Sequence, residues 1–154
     1  TASLFAAACE VGAVLANRPP EEQEALRQYG LNLGIAFQLV DDVLDYSAVQ
    51  ARLGKDVGND FREGKMTLPV LLAFQTGDAE EQAFWQRTME NQACNESDLQ
   101  HAIRILQARG TLDATIDRAR TYGARAQTAL AAFPPSPLHE AMREAIQFVI
   151  ERDY

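Results

Sequence analysis

"GLNLGIAFQLVDDVLDY", residues 30–46, sets three aspartates and two glycines into a largely apolar run that holds no lysine or arginine. Its apolar residues recur at three- and four-residue intervals, the period of a helix with a buried face. With Asp41 at zero, Gln38, Asp42 and Asp45 fall at about 60°, 100° and 40°, so the four side chains share one face. Phe37, Val40, Val43 and Leu44 cover the opposite side. Gly30 and Gly34 continue the polar face toward the helix start, each costing about 1 kcal/mol of helix stability relative to alanine. Something is expected to need the space they leave.

Like charges at i and i+4 repel, and carboxylates among apolar neighbours must find partners or give up their charge. A cation on which the three carboxylates converge is the economical answer. Carboxylate oxygens with no nearby histidine or cysteine suit a hard ion, and Mg2+ is usually held by one or two carboxylates together with phosphates and waters. A phosphorylated ligand is therefore expected. A bare D-D-x-x-D is more often a solvated acidic face, but here the apolar flanks and the segment that follows weigh against that.

That segment, Ser47 to Lys65, carries three glycines and four basic residues with little periodicity. Long irregular loops are uncommon unless they have a function. Within "LGKDVGNDFREGKMTLP", residues 53–69, Lys55, Arg62 and Lys65 lie close in sequence to the acidic face. Glycines let a backbone fold tightly against a ligand, and lysine is a point-charge partner for phosphate. A site for a magnesium diphosphate needs both signs, carboxylates for the metal and ammonium groups for the remaining oxygens. Asp56 reads as a turn residue, and Asp60 as either a turn residue or a partner of the site.

The rest of the chain is helical by the same period, which makes the fold class all-α. A first helix is expected over about 1–16, and a second from the "NRPPEEQ" break to about Tyr46. After the loop, "TLPVLLAFQTG" and "DAEEQAFWQRTMEN" each give a helix. "ESDLQHAIRILQARG" adds another, with Ser97 as candidate N-cap and Gly110 as its stop. Two more run over about 112–133 and 137–152. Phe84 and Trp85 fit a core, and neither His101 nor His139 has a partner at metal-ligand spacing.

Composition narrows the class. The 154 residues suffice for one compact unit, with 47% hydrophobic content. A net charge of -8 argues against holding nucleic acid or anionic lipid by bulk charge. No run approaches the roughly 18 apolar residues of a membrane span. Cys9 and Cys94 show neither metal-ligand spacing nor a disulfide framework, in keeping with a reduced, cytoplasmic setting.

Taken together, "GLNLGIAFQLVDDVLDY" and "LGKDVGNDFREGKMTLP" closely resemble the second aspartate-rich region of the all-trans polyprenyl diphosphate synthases. Glycines, F-Q, D-D-x-x-D, G-K-x-x-G-x-D and G-K-x-T-L-P occur in order and spacing. "TASLFAAACEVGAVLA" resembles the family's K-T-A-x-L-F helix, and "FWQRTME", "ARGTLDATIDRARTYGARA" and "FVIERDY" resemble bacterial long-chain members, octaprenyl to decaprenyl. The resemblance covers essentially the whole chain, most strongly up to Pro69. It implies the prenyl synthase helical fold, with residues 1–154 as the C-terminal part of a single domain. It further implies Asp41, Asp42 and Asp45 as Mg2+ ligands, directly or through water, with Asp41, Asp42 and Lys55 serving catalysis. Thr1, Gln38, Lys55 and Lys65 match positions that contact the allylic diphosphate, and Phe37 would border isopentenyl diphosphate.

The family faces two aspartate-rich motifs against each other, and this sequence has one, at 41–45. The chain is therefore expected to be inactive alone, and to work as a homodimer or in association with an N-terminal part. A long-chain product for quinone side chains is the expectation. A farnesyl or geranylgeranyl diphosphate synthase, and a non-catalytic helical subunit that pairs with an active synthase, are the alternatives.

Overall fold

Rich in alanine, the first residues form α1, Ala2–Leu15. Ala16 caps the helix, and the next residue, Asn17, turns the chain away with a φ of 51° that asparagine tolerates better than most residues. Pro20 opens α2, Pro20–Leu44, with Glu21 and Glu22 in its first turn, where a fixed φ and negative charge both favour a helix start. A computed structural model describes residues 1–47, 57–90 and 94–152 of the protein. After α2 come α3 (Asn59–Arg62), α4 (Leu68–Thr76) and α5 (Ala79–Trp85), the last running into a π-helical turn over Gln86–Glu90. Then follow α6 (Glu96–Ala108), α7 (Thr111–Ala129) with a 3-10 turn over Leu130–Ala132, and α8 (Pro137–Ile150). Among the described residues there is no strand, and no helix is long and apolar enough to cross a membrane.

Two compact units emerge. The first takes residues 1–40 and 117–152, the second residues 41–116. In the first, the space that the two glycines of α2 were expected to leave for something is taken by α1. A Cβ on Gly30 would stand 2.3 Å from the Phe5 carbonyl oxygen, and one on Gly34 2.7 Å from the Ala2 Cα. The space they leave holds the backbone of α1, not a ligand. Phe5 and Phe37 meet beside this crossing with ring centroids 5.7 Å apart. Gly123 gives α7 a similarly close approach to α8, where its Cβ would lie 2.3 Å from Ile150 Cδ1. The Tyr29 hydroxyl of α2 donates to the Met142 carbonyl of α8 at 3.0 Å.

The second unit is built on an aromatic core. Phe61 stacks with Phe84 at 6.4 Å and meets Trp85 edge-on at 6.4 Å, with Tyr46, Val70, Leu99 and Leu106 in the same buried cluster. Trp85 is thus core, as its helical spacing implies. The start of α6 differs from expectation: Asn95, not Ser97, is the cap. Its side chain accepts from Asp98 N at 3.0 Å while Asp98 accepts from Asn95 N at 3.0 Å, a reciprocal box that Ser97 is placed too late to make. The Arg87 guanidinium then grips Asp98 at 2.7 and 3.2 Å. Gly110, with φ 62°, follows the end of α6 as its sequence position implies.

Candidate functional site

The last turn of α2 and the loop after it bring opposite charges together inside the second unit. Asp42 is buried, 7% exposed, and its carboxylate lies 3.3 Å from Lys65 Nζ. The same ammonium donates to both Asp60 oxygens, at 3.0 and 3.1 Å. Backbone geometry sets Lys65 there: Gly64 takes a φ of 68°, and Lys65 N donates to the Asp60 carbonyl at 2.8 Å. Burial alone would lower the Lys65 pKa, but the Asp60 hydrogen bond and the charges of Asp42 and Asp60 outweigh it and hold the ammonium above its ordinary range. Asp60 therefore pairs with Lys65 as well as standing in the first turn of α3.

Asp45 shares the stripe but not the cluster. Its two oxygens accept from Asn59 N at 3.2 Å and Asp60 N at 2.9 Å, the first amides of α3, and its carbonyl accepts from Gly58 N at 2.7 Å. Burial raises its pKa, the backbone hydrogen bonds oppose that shift, and the Asp60 charge adds to it. Asp41 is exposed one residue before Asp42. The expected convergence of three carboxylates is thus not seen, because the backbone of α3 holds Asp45. Among the described residues no three carboxylate, imidazole or thiol groups assemble into a ready-made metal cage. The donor set still fits magnesium, whose usual protein share is one or two carboxylates, and Asp41 and Asp42 supply hard oxygens with no nitrogen or sulfur among them.

Two groups that the sequence reading passed over lie beside this cluster. Tyr46 and Thr67 are 1% and 3% exposed, and their hydroxyl oxygens are buried. Burial first, then the Asp45 charge and more weakly those of Asp60 and Asp42, push the phenol's ionisation up, with the neighbouring Thr67 hydroxyl opposing. The phenol therefore stays a donor. Neither could have been singled out from sequence, because a tyrosine and a threonine next to apolar runs read as packing.

Arg62 serves the loop itself, donating to the Val57 carbonyl at 2.8 Å and pairing with Glu96 at 3.3 Å. Lys55 and Asp56 lie outside the described residues. In the first unit, Thr1 Oγ1 donates to Gln38 Oε1 at 2.9 Å, so two residues expected to share one task are joined. The Phe37 ring carries the Arg152 guanidinium 4.7 Å from its centroid, a cation–π contact not foreseen in the sequence. A cleft of about 530 Å³ between α7 and α8, lined among others by Arg120, Gly123, Arg143 and Gln147, contains none of the residues expected to do chemistry.

Residues 1–106 match the family model for polyprenyl synthetase. The chain belongs to that family. Among its polyprenyl synthetase relatives, the octaprenyl diphosphate synthase of Escherichia coli (strain K12) is 41% identical over 153 residues, covering 99% of this chain and 47% of the relative. The crystal structure of a decaprenyl diphosphate synthase from Rhodobacter capsulatus superposes with a TM-score of 0.92 at 43% identity, over 99% of this chain and 47% of that one. A polyprenyl synthase from Caulobacter crescentus CB15, complexed with calcium and isoprenyl diphosphate, superposes at 0.90 with 48% identity, over 97% of this chain and 45% of that one. The all-helical architecture is therefore that of the polyprenyl synthases. The chain spans about half the length of the relatives it matches.

Proposed function

We propose that this chain carries the second aspartate-rich region of an all-trans prenyltransferase that joins an allylic prenyl diphosphate to isopentenyl diphosphate. The observation that carries this reading is the Asp42–Lys65–Asp60 cluster, which sets both signs of charge within hydrogen-bonding distance where the family motif falls. Asp41 and Asp42 would hold Mg2+, and Asp45 would act from behind them, through water or by fixing the loop. Binding of calcium with isoprenyl diphosphate by the Caulobacter relative supports a divalent ion at such a site.

The chemistry asks for charge to be drawn onto a departing diphosphate. Magnesium, when bound, supplies much of that pull. Lys65 Nζ adds a donor whose proton is held firmly, and it can turn from Asp60 to a diphosphate oxygen without changing its own charge. Lys55 is proposed as a second such donor, with Thr1 and Gln38 contacting the same diphosphate. As the allylic carbon–oxygen bond breaks, the double bond of isopentenyl diphosphate attacks the cation, a carbon–carbon bond forms, and a proton passes to the released diphosphate. Phe37 would border that second substrate.

Relatives named for octaprenyl and decaprenyl products favour a long chain, and with it a quinone side chain as the destination. The intact synthase is read as a cytoplasmic homodimer. With one aspartate-rich motif, the 154-residue chain should not turn over alone. The test is prenyl transfer with Mg2+ and both diphosphates, first by the chain alone and then by the chain joined to the N-terminal half of the octaprenyl relative. Product is expected only in the second case, and to be lost in Asp42→Asn. Turnover that is indifferent to Asp41 and Asp42 would overturn the reading.

A further inference from the structure

Arg62 stands three residues before Lys65, yet its guanidinium is directed at backbone and at a second helix. Nη1 donates to the Val57 carbonyl at 2.8 Å and, at a longer 3.4 Å, to Asn59 Oδ1. Nη2 reaches Glu96 Oε2 at 3.3 Å. One side chain thus joins the end of α3, the backbone just before that helix, and the first turn of α6. Arginine suits the task because its donors are spread over a planar fork, whereas lysine carries its donors on one nitrogen.

The backbone that Arg62 grips is the piece that holds Asp45. Gly58 N, the amide that follows the Val57 carbonyl, donates to the Asp45 carbonyl at 2.7 Å. Asn59 N and Asp60 N donate to the Asp45 carboxylate at 3.2 and 2.9 Å. Asp60 in turn accepts from Lys65 Nζ, which lies 3.3 Å from Asp42. Gly58 is also where this turn rests on α6: its φ is 79°, and a Cβ there would stand 2.5 Å from both Leu99 methyl carbons. Glu96 and Leu99 are three residues apart and so neighbours on the surface of α6. The turn therefore has two attachments to one helix, packing at Leu99 and the Arg62 fork at Glu96. The ion pair is the weaker half of that fork, because its side chains are 44% and 70% exposed and such pairs contribute little. The short charge-assisted bond to the Val57 carbonyl is the stronger half.

We propose that Arg62 is a positioning residue of the acidic site. By holding the Val57 carbonyl it keeps the Gly58, Asn59 and Asp60 amides on Asp45, and with them the Asp60 carboxylate against the Lys65 ammonium that faces Asp42. It acts through these groups and touches no ligand itself. Its consequence for binding rests on the reading of this cluster as a magnesium diphosphate site; the hold on the turn does not.

Two measurements separate those parts: hydrogen exchange of the Gly58, Asn59 and Asp60 amides followed by NMR, and calorimetric affinity for inorganic diphosphate with Mg2+. Both are made on the 154-residue chain and on Arg62→Ala, Arg62→Lys and Glu96→Gln. In Arg62→Ala the three amides are expected to exchange about tenfold faster or more, the scale of a lost charged hydrogen bond, while the amides of α6 keep their rates. Diphosphate affinity should fall about tenfold, the lower end for losing a group that orients metal ligands. Arg62→Lys, which keeps the charge and can reach the Val57 carbonyl, should recover part of both losses. Glu96→Gln should change neither. Unaltered exchange of the three amides in Arg62→Ala would overturn the proposal, and so would an equal acceleration along α6, which would mark a general loss of stability. Loosened amides with undiminished affinity would overturn the positioning role and leave the site reading standing. A parent that binds no diphosphate would overturn the site reading, and the exchange rates alone would then decide whether Arg62 holds the turn. Should Arg62→Ala fail to fold, the same two readings on Arg62→Lys decide.

Discussion

Asp45 shows what a helical wheel can and cannot tell. The wheel places Cβ directions, and on that basis Asp41, Asp42 and Asp45 belong to one stripe. Where a carboxylate points depends on donors elsewhere in the chain, and for Asp45 these are the amides of Asn59 and Asp60, far along the sequence. No local pattern announces them. The pairing separates two roles that sequence spacing merges. Asp45→Ala removes both acceptors from the start of α3 and should lower the unfolding free energy by about 1–2 kcal/mol. Asp41→Asn, at an exposed position, should change it by no more than about 0.5 kcal/mol. Urea titration of the two variants checks the contrast, and equal losses would contradict it. The pH dependence has a definite sign. Since burial raises the Asp45 pKa on folding, its contribution is largest below the ordinary carboxylate range and is lost as pH rises through the raised value. Asp45→Asn should remove that part of the acid-side slope.

At the scale of elements, α2 was legible because period, proline, glutamates and apolar face all agree, and the structure gives it as Pro20–Leu44. Its glycines were legible as a demand for space but not as to who fills it, since a one-dimensional pattern cannot distinguish a ligand from another helix. The close approach of α1 makes a direct prediction. Gly30→Ala and Gly34→Ala gain helix propensity yet must push the α1 backbone aside, so each should destabilise by about 1–3 kcal/mol. Gly12→Ala is the control: nothing lies within 4 Å of its would-be Cβ, and it should stabilise by about 0.5–1 kcal/mol. Thermal unfolding of the three variants would show opposite signs, and a stabilising Gly30→Ala would refute the tight crossing. The cap of α6 makes a similar point. Asn95 and Ser97 are both good caps by residue type, and Asn95 takes the position because Asp98 stands three residues after it.

For the whole molecule, the sequence conveyed class, motif and charge balance, while surfaces had to come from the structure. On α1, Leu4, Val11 and Leu15 are 73%, 49% and 78% exposed, and their spacing of seven and four puts them on one face. Apolar stripes of this kind mark interaction surfaces. The isolated chain should therefore self-associate in sedimentation velocity, and Leu4→Ser with Leu15→Ser should shift it toward monomer; a parent that stays monomeric at high concentration would argue against it. At the acidic end of α2, the carboxylates and Lys65 are proposed to take an anionic ligand brought by a metal. This is tested most directly by titrating inorganic diphosphate into the chain with and without Mg2+. Saturable binding that requires magnesium and disappears in Asp42→Asn is the predicted result. Diphosphate binding of equal strength without the metal, or undiminished in that variant, would rule out a metal-borne diphosphate at this site.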